Sequence, residues 1–306
     1  MTMKRNGFQT SAVHHIYQRF QDKGVLFYDL QDRLVYYTLA ATASKKFQTT
    51  VSAASLMFTH IHQCCEAGSK KALTEYLRTT DSSFARLYNF RYRRGGQLFD
   101  RPVGHSCKLT AKEKRSALIY VFNNHVEKGL CREAIEERWS FIAYAFSSHP
   151  FSEEINKKKA SGALLKALRL IDRRISKNKA LEYADLDRIL PKLNEMETEQ
   201  FVDYVISHYA WIDFPHTVSR FQSLDALIVA LNSTTGSEYG IKEDFTREKD
   251  TGYISLLEYA RREGVLKRIF TMSGSEKLEF IINARHETQA RDSQLKRFLH
   301  YDFRQH

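Results

Sequence analysis

The chain has 306 residues, of which 42% are hydrophobic, 12% are aromatic and only 4 are proline, a composition that excludes long disordered regions and allows one large or two ordinary domains. Its net charge of +11 favours a polyanionic partner such as nucleic acid, although many basic proteins bind none. The excess lies in residues 1–150, which contain 22 Lys and Arg against 12 Asp and Glu, whereas residues 151–306 contain 25 against 24.

The sequence has neither membrane-spanning nor secretory features. It contains no run of about 18 apolar residues, and its start lacks the apolar core of a signal peptide. We therefore expect a cytoplasmic protein with no membrane partner. The 4 cysteines are too few and too irregularly spaced for a disulfide framework, so free thiols are expected, with adjacent Cys64 and Cys65 on opposite faces of any extended strand.

The first elements indicate a mixed fold. Alternating β-forming residues predict a strand over 11–20, and apolar residues spaced by three and four predict an amphipathic helix over 29–47. Two strands over 49–57 and 58–66 follow, and then a long helix from Gly68 to the basic segment 91–96. The order strand, helix, strand, strand, helix is typical of an α+β fold.

The best-defined helix begins after Thr110. Thr110 and Glu113 have the spacing of a capping box, and Gly129 is suited to ending the helix. Because residues four apart are neighbours on a helix, we expect Tyr120 and Asn124 on one face.

The character of the sequence changes near residue 150, so we predict a domain of residues 1–150 and a mainly helical region of residues 151–306. Residues 156–180 combine nine Lys and Arg with apolar residues at helical spacing, which predicts a basic amphipathic helix that either contacts DNA or is simply solvated. Turns are predicted near Pro191, near Pro215 and over 233–240, and a helix pair over 276–283 and 289–299 has the spacing of a helix-turn-helix, as many helix pairs do.

A histidine pair on the third predicted strand is the first candidate for chemistry. Strand side chains alternate between faces, so His60 and His62 share one face while Ile61 points into a core. Two imidazoles on one face are able to bind one divalent metal ion. Partly buried or surface histidines without a ligand are the alternative, and a zinc site that adds Cys64 is a more distant one.

Tyr120 is the candidate nucleophile. A phenolate can attack a phosphodiester and form a covalent protein–DNA ester that conserves the bond energy for rejoining. A phenol with a pKa of about 10 needs a nearby positive field or base for this task. Packing in the core is the alternative explanation of a tyrosine on a helix.

Six segments, in order, resemble those of the HUH single-tyrosine DNA transposases, particularly the REP-associated tyrosine transposases, and together cover nearly half of the chain. They are HHIYQR at 14–19, FYDLQDRLVYYTLAATASKKF at 27–47, MFTHIH at 57–62, ARLYNFRYRRGGQLF at 85–99, YVFNNHVEKGL at 120–130 and WSFIAY at 139–144. Several positions depart from the family pattern. Thr59 replaces an asparagine before the histidines, His125 replaces a proline after Asn124, and an aliphatic run after the pair is replaced by Gln63, Cys64 and Cys65. These departures leave open whether this protein mobilises DNA.

The resemblance implies a ferredoxin-like antiparallel sheet and a DNA transposase activity. It implies that His60, His62 and Asn124 bind Mg²⁺ or Mn²⁺, and that Tyr120 forms a 5′-phosphotyrosine on single-stranded or hairpin DNA. A nucleoid-associated location and a homodimer are further expectations. The alternative is a domesticated, catalytically inactive protein that binds specific DNA sequences.

A basic and aromatic stretch is the predicted DNA contact surface. Its arginines are interleaved with Tyr88, Phe90, Tyr92 and Phe99, which suits phosphate contacts combined with base stacking. A solvated helix end with core aromatics is the alternative. The predicted DNA-binding residues are Arg19, Arg86, Arg91, Arg93, Arg94 and Arg101.

Overall fold

A four-stranded antiparallel sheet forms the first half of the computed structural model, which describes residues 7–100, 102–233 and 249–301. The strands are β1 (Val13–Arg19), β2 (Thr49–Leu56), β3 (His60–Ala67) and β4 (Gly104–Lys108), in the order β2-β3-β1-β4. Helix α1 (Leu30–Lys46) joins β1 to β2, and α2 (Lys70–Arg91) joins β3 to β4. This connectivity and order is the ferredoxin-like arrangement, so the predicted α+β class is confirmed.

The alternation of strand side chains divides the buried residues between the two faces of the sheet. Ile16, Ile61 and Cys65 belong to the large core that includes residues of α1 and α2. Val13 and Cys64 belong to a second core, which is formed with helix α3 (Ala111–Glu127). The adjacent cysteines therefore point to opposite faces, as predicted, and all four cysteines are free thiols.

Helix α3 starts where its capping box predicts. The Thr110 hydroxyl accepts a hydrogen bond from the Glu113 amide at 3.2 Å, and the Glu113 carboxylate accepts from the amides of Leu109 and Thr110 at 3.0 and 2.9 Å. These contacts satisfy amide groups that the first turn of a helix leaves without partners. After the helix, Gly129 has a φ of +72°, which a glycine adopts without strain.

The second half is helical in its described parts. The predicted basic amphipathic helix is α4 (Gly162–Ser176), which buries its apolar side. The predicted C-terminal helix pair is α10 (Gly274–Glu287) and α11 (Asp292–Leu299), and its use as a helix-turn-helix stays a prediction. Of the turn predicted over 233–240, all but Ser233 lies outside the described residues. The helices are α4 (Gly162–Ser176), α5 (Tyr183–Ile189), α6 (Glu195–Tyr209), α7 (Phe214–Val218), α8 (Leu224–Ser233), α9 (Thr251–Arg262), α10 (Gly274–Glu287) and α11 (Asp292–Leu299). No helix within the described ranges is long and apolar enough to cross a membrane.

The two halves of the chain pack against each other through buried groups. The Tyr37 hydroxyl of α1 donates to the Ile206 carbonyl of α6 at 2.7 Å, and the Asp213 amide donates to the Val51 carbonyl of β2 at 2.9 Å. The large core contains side chains from both halves. The predicted boundary lies in a segment, 146–161, that contains neither α-helix nor β-strand, and the division into domains 1–150 and 151–306 stays a prediction.

The C-terminal end of the described chain is anchored near β1. The His300 ring lies 4.4 Å from the Phe20 ring, measured between centroids, and its Nε2 is 2.8 Å from the Tyr28 hydroxyl. Gly24 leaves space for this ring, since a Cβ there would lie 2.0 Å from Cε1 of His300. The φ of Gly24 is −72°, so the glycine is required for space and not for backbone conformation.

Candidate active site

Strand β3 begins with the histidine pair, and both rings lie on the sheet face that α3 covers. The ring centroids of His60 and His62 are 4.9 Å apart, with their planes at 83°. His60 is 8% exposed and His62 is fully buried. The predicted placement of both imidazoles on one face is therefore observed.

Hydrogen bonds fix the orientation of both imidazoles. Nδ1 of His62 lies 3.0 Å from Nε2 of His15, and Nδ1 of His60 lies 2.9 Å from the Thr59 hydroxyl. With Nδ1 engaged in each ring, Nε2 is the nitrogen through which the ring would bind a cation. Such partners also fix the tautomer of a ligating histidine.

Tyr120 contacts the histidines from helix α3, which packs on the sheet face that carries them. It lies in the third turn of α3, and its ring centroid is 5.5 Å from that of His62 and 5.6 Å from that of His15. Both contacts are edge to face, at 88° and 83°. The structure thus brings together His60, His62 and Tyr120, although Tyr120 is only 2% exposed.

Asn124 lies one turn after Tyr120 and is buried. Its amide nitrogen donates to the carbonyls of Tyr120 and Val121, at 3.1 and 3.3 Å. The amide is therefore turned along its own helix, and Oδ1 is the atom with which Asn124 would bind a metal.

The site keeps its imidazoles neutral. Burial lowers the pKa of His60 well below its usual value, and the positive charge of Arg19 adds to this effect. Burial also lowers the pKa of His62 to about 3, with contributions from Arg19, His125 and Lys128. Neutral imidazole is the form that binds metal ions, and the surrounding positive charge also suits a phosphate group.

The donor set fits a divalent cation in part. Two neutral imidazoles are compatible with Mn²⁺, whereas Mg²⁺ prefers oxygen ligands, and a role for Asn124 as a third ligand stays a prediction. Among the described residues, no group of three His, Cys, Asp or Glu side chains is placed to bind a metal. Cys64 is buried on the same face of the sheet as His60 and His62, and the more distant zinc alternative stays a prediction.

The predicted DNA-binding arginines fall into different environments. Arg19 lies over the Tyr17 ring at 4.8 Å and donates to its hydroxyl, next to the histidine pair. Arg86 and Arg93 are exposed on the surface. Arg101 lies outside the described residues.

Arg91 and Arg94 are turned toward the protein instead. The Arg91 side chain is only 5% exposed, forms an ion pair with Asp29 at 2.6 Å and lies over the Tyr183 ring. Arg94 donates to the Gln97 carbonyl at 2.6 Å and lies 5.0 Å from the Phe20 ring. Their guanidinium groups stabilise the packing of the protein, so the proposed DNA surface does not include them.

His15 and Tyr17 are site residues that the sequence did not single out. His15 bonds to His62, and the Tyr17 ring lies 4.8 Å from the His62 ring and 5.3 Å from the His60 ring. The alternation of β1 was the available signal, because it places residues 13, 15 and 17 on one face. The pairing of β1 with β3 then decides that this face is that of the histidine pair.

The fold and the site define a ferredoxin-like α+β protein with two histidines and a tyrosine between its sheet and a helix. No protein-family model matches the chain, and no curated protein matches it in sequence. A solved structure, "Structure of the REP associates tyrosine transposase bound to a REP hairpin", is similar over 47% of this chain and 85% of that chain, with 10% sequence identity and a TM-score of 0.40. A TM-score of 0.40 is too low to establish a shared fold or activity.

Proposed function

We propose that this protein is a metal-dependent DNA transposase or endonuclease of the single-tyrosine type, which cleaves and rejoins single-stranded or hairpin DNA. One observation supports this most directly: the sheet and α3 place Tyr120 within 5.5 Å of His62, which in turn lies 4.9 Å from His60, both measured between ring centroids. A helical tyrosine that served only to fill a core would not require a buried, neutral imidazole against its ring.

Each group has a chemical role in this proposal. The Tyr120 oxygen attacks the scissile phosphorus and loses its proton, the bond to the 3′ oxygen breaks, and that oxygen takes up a proton. The products are a 5′-phosphotyrosine and a free 3′-hydroxyl. His60, His62 and Asn124 would bind Mn²⁺ or Mg²⁺, which supplies polarisation of the phosphate.

The charges around the site are suited to a DNA strand. Arg19 and Lys128 are close enough to lower the pKa values of both histidines, and a positive field of this kind stabilises a phenolate and a phosphate alike. Tyr120 lies beside the histidines of its own chain, which supports a nucleophile that acts in its own subunit. A homodimer stays a prediction.

The enclosure of the site favours a second candidate function. Tyr120 is 2% exposed and His62 is 0% exposed, so a phosphate reaches the phenol only after the surrounding side chains move. A domesticated DNA-binding protein without turnover needs no such movement. This second candidate predicts hairpin binding that weakens steeply with salt and yields no covalent product.

A nicking assay separates the two candidates. Single-stranded hairpin DNA is incubated with the protein and Mn²⁺ or Mg²⁺, and covalent adducts are resolved on denaturing gels. The proposed function predicts an adduct that is lost in Tyr120→Phe, together with a loss of cleavage on the order of 100-fold or more in His60→Gln. Tyr209→Phe, which alters a buried tyrosine of α6, serves as the control and should retain the adduct.

Two results would contradict the proposal. An adduct that persists in Tyr120→Phe removes Tyr120 from the nucleophile role. Hairpin binding without any adduct, at every metal tested, supports the DNA-binding candidate instead.

A further inference from the structure

The predicted basic and aromatic stretch is divided by the fold into an inner and an outer set. Tyr88, Tyr92 and Phe99 are buried in the large core. Phe90 is 87% exposed and is the most exposed large hydrophobic residue in the described part of the chain. One aromatic ring of the four is therefore presented to solvent.

Two exposed arginines lie close to Phe90 along the chain. Arg86 precedes it by one turn of α2, so the two side chains are neighbours on the helix surface. Arg93 follows the end of the helix with a φ of 50°, in the left-handed region that a side chain disfavours. Among the described residues, neither arginine has an acidic partner within ion-pair distance, so both charges are available to an anion.

The residues near Phe90 favour a nucleic acid over a protein as the partner of this surface. A hydrophobic protein interface normally combines several apolar side chains, whereas Phe90 is flanked by cations. Gly95 and Gly96 are exposed nearby, and a Cβ at either position would contact nothing within 4 Å, so space is available beside the loop. An exposed ring with two exposed arginines within four residues of it suits an unpaired nucleobase and its phosphates.

This surface lies at the end of the sheet where the candidate active site begins. The loop after α2 bonds to β1 and its extension: the Asp100 amide donates to the Arg19 carbonyl, and the Gln21 amide donates to the Leu98 carbonyl, both at 2.9 Å. Arg19 in turn is paired with His60 in the sheet. The loop that follows Phe90 and the start of β3 therefore lie at the same end of the sheet, while α2 and the histidine pair lie on opposite faces of it.

We propose that Phe90, with Arg86 and Arg93, is the stacking site for an unpaired nucleotide of the single-stranded DNA. This inference rests on the proposed function for the identity of the nucleic acid. Phe90 stacks on the base, and the two arginines contact the adjacent phosphates. The site holds the strand in place and takes no part in bond breaking.

Equilibrium binding tests the stacking site without requiring cleavage. Fluorescence anisotropy is measured with a hairpin that carries a single-stranded flank and with the same hairpin made blunt, using Tyr120→Phe as the parent protein. Adding Phe90→Ala should weaken binding of the flanked hairpin by about tenfold or more, with a much smaller effect on the blunt one. Phe90→Trp should retain binding, and stacking should quench its fluorescence.

Matched variants separate stacking from general effects. Phe146→Ala removes an aromatic ring that is 52% exposed elsewhere and should leave binding unchanged. Arg86→Gln should reduce the slope of log K against log salt by about 1. Lys71→Gln removes one exposed charge at the other end of α2 and should not change that slope.

The outcomes distinguish this inference from the proposed function. Unchanged binding in Phe90→Ala, equal losses on both hairpins, or no DNA binding by the parent protein would overturn the stacking site. Selective loss of flanked-hairpin binding supports it even where the wild-type protein forms no covalent adduct. An adduct in the wild-type protein combined with unchanged binding in Phe90→Ala would support the proposed function and refute the stacking site.

Discussion

Three histidines in and next to the candidate site have pKa values that burial lowers: His60, His62 and His125. His125 follows Asn124 on α3 and lies 3.3 Å from the Ser55 hydroxyl through Nδ1. Burial lowers its pKa to about 4, as burial lowers the pKa of His60 and His62. These three side chains therefore remain neutral near pH 7, and folding opposes their protonation.

The lowered pKa of His125 predicts that this side chain destabilises the folded protein in acid. An unfolded histidine binds its proton near pH 6.5, whereas folded His125 binds one only near pH 4, so the unfolded chain carries more protons between these values. The contribution of each such histidine to the free energy of unfolding should be constant above about pH 6.5 and should fall below it, by up to about 1.4 kcal/mol per pH unit. Asp32, whose pKa burial raises to about 7, contributes with the opposite sign.

Urea denaturation at pH 7.5 and pH 5.0 would measure this loss. On going from pH 7.5 to pH 5.0, His125→Asn should lose less free energy of unfolding than the wild-type protein. His208→Asn, at an exposed position of α6, should show the wild-type difference. Equal pH dependence in all three proteins would mean that His125 does not contribute.

At the scale of elements, the sequence predicted the helices and strands whose signals lie within a single segment of the chain. The capping box of α3, the alternation of β3 and the apolar spacing of α1 are each contained in one segment, and each element was observed. Strand β4 was missed because GHSCK buries only Cys107. Its stability comes from its pairing with β1, which no local pattern of residues 104–108 indicates.

The proposed DNA-binding surface shows the same division between local and long-range information. The buried positions of α2 include Phe84 and Tyr88, and continuing that helical spacing places Arg91 inside and Arg86 and Phe90 outside. This distinction was therefore available from the sequence. The partner of Arg91 was not, because Asp29 lies 62 residues away along the chain.

The cap of α3 predicts a measurable contribution to stability. Thr110→Ala removes the oxygen that accepts from the Glu113 amide and should lower the free energy of unfolding by about 1 kcal/mol. Thr110→Ser keeps this oxygen and should stay close to the wild-type value. Chemical denaturation of both variants tests the difference, and two equal losses would mean that the threonine methyl group, not the cap, is responsible.

At the scale of the molecule, buried polar groups connect the two halves. Asp32 of α1 accepts from the Tyr92 hydroxyl at 2.8 Å and from the Tyr183 hydroxyl of α5 at 2.7 Å. Burial raises the pKa of Asp32 to about 7. A buried carboxyl is stabilised by each of its hydrogen-bond partners. Removing the second half of the chain would therefore leave Asp32 without its hydrogen bond from Tyr183.

This connection predicts the behaviour of a fragment. Residues 1–150 alone would expose the side of α1 that carries Tyr37 and would lack the Tyr183 hydroxyl. We expect this fragment to aggregate or to unfold without a cooperative transition, whereas the full chain unfolds cooperatively. Size-exclusion chromatography and thermal unfolding of both proteins provide the measurement. A monomeric fragment with a cooperative transition would instead support an independent domain of residues 1–150.

The contact between Gly24 and the His300 ring restricts which substitutions the protein tolerates at these two positions. Because the His300 imidazole occupies the position that a methyl group at residue 24 would take, two positions 276 residues apart compete for one volume. Replacement of the glycine is tolerated only together with a smaller residue at 300 or a displaced C-terminus. The two positions are therefore expected to vary together among proteins that share this packing.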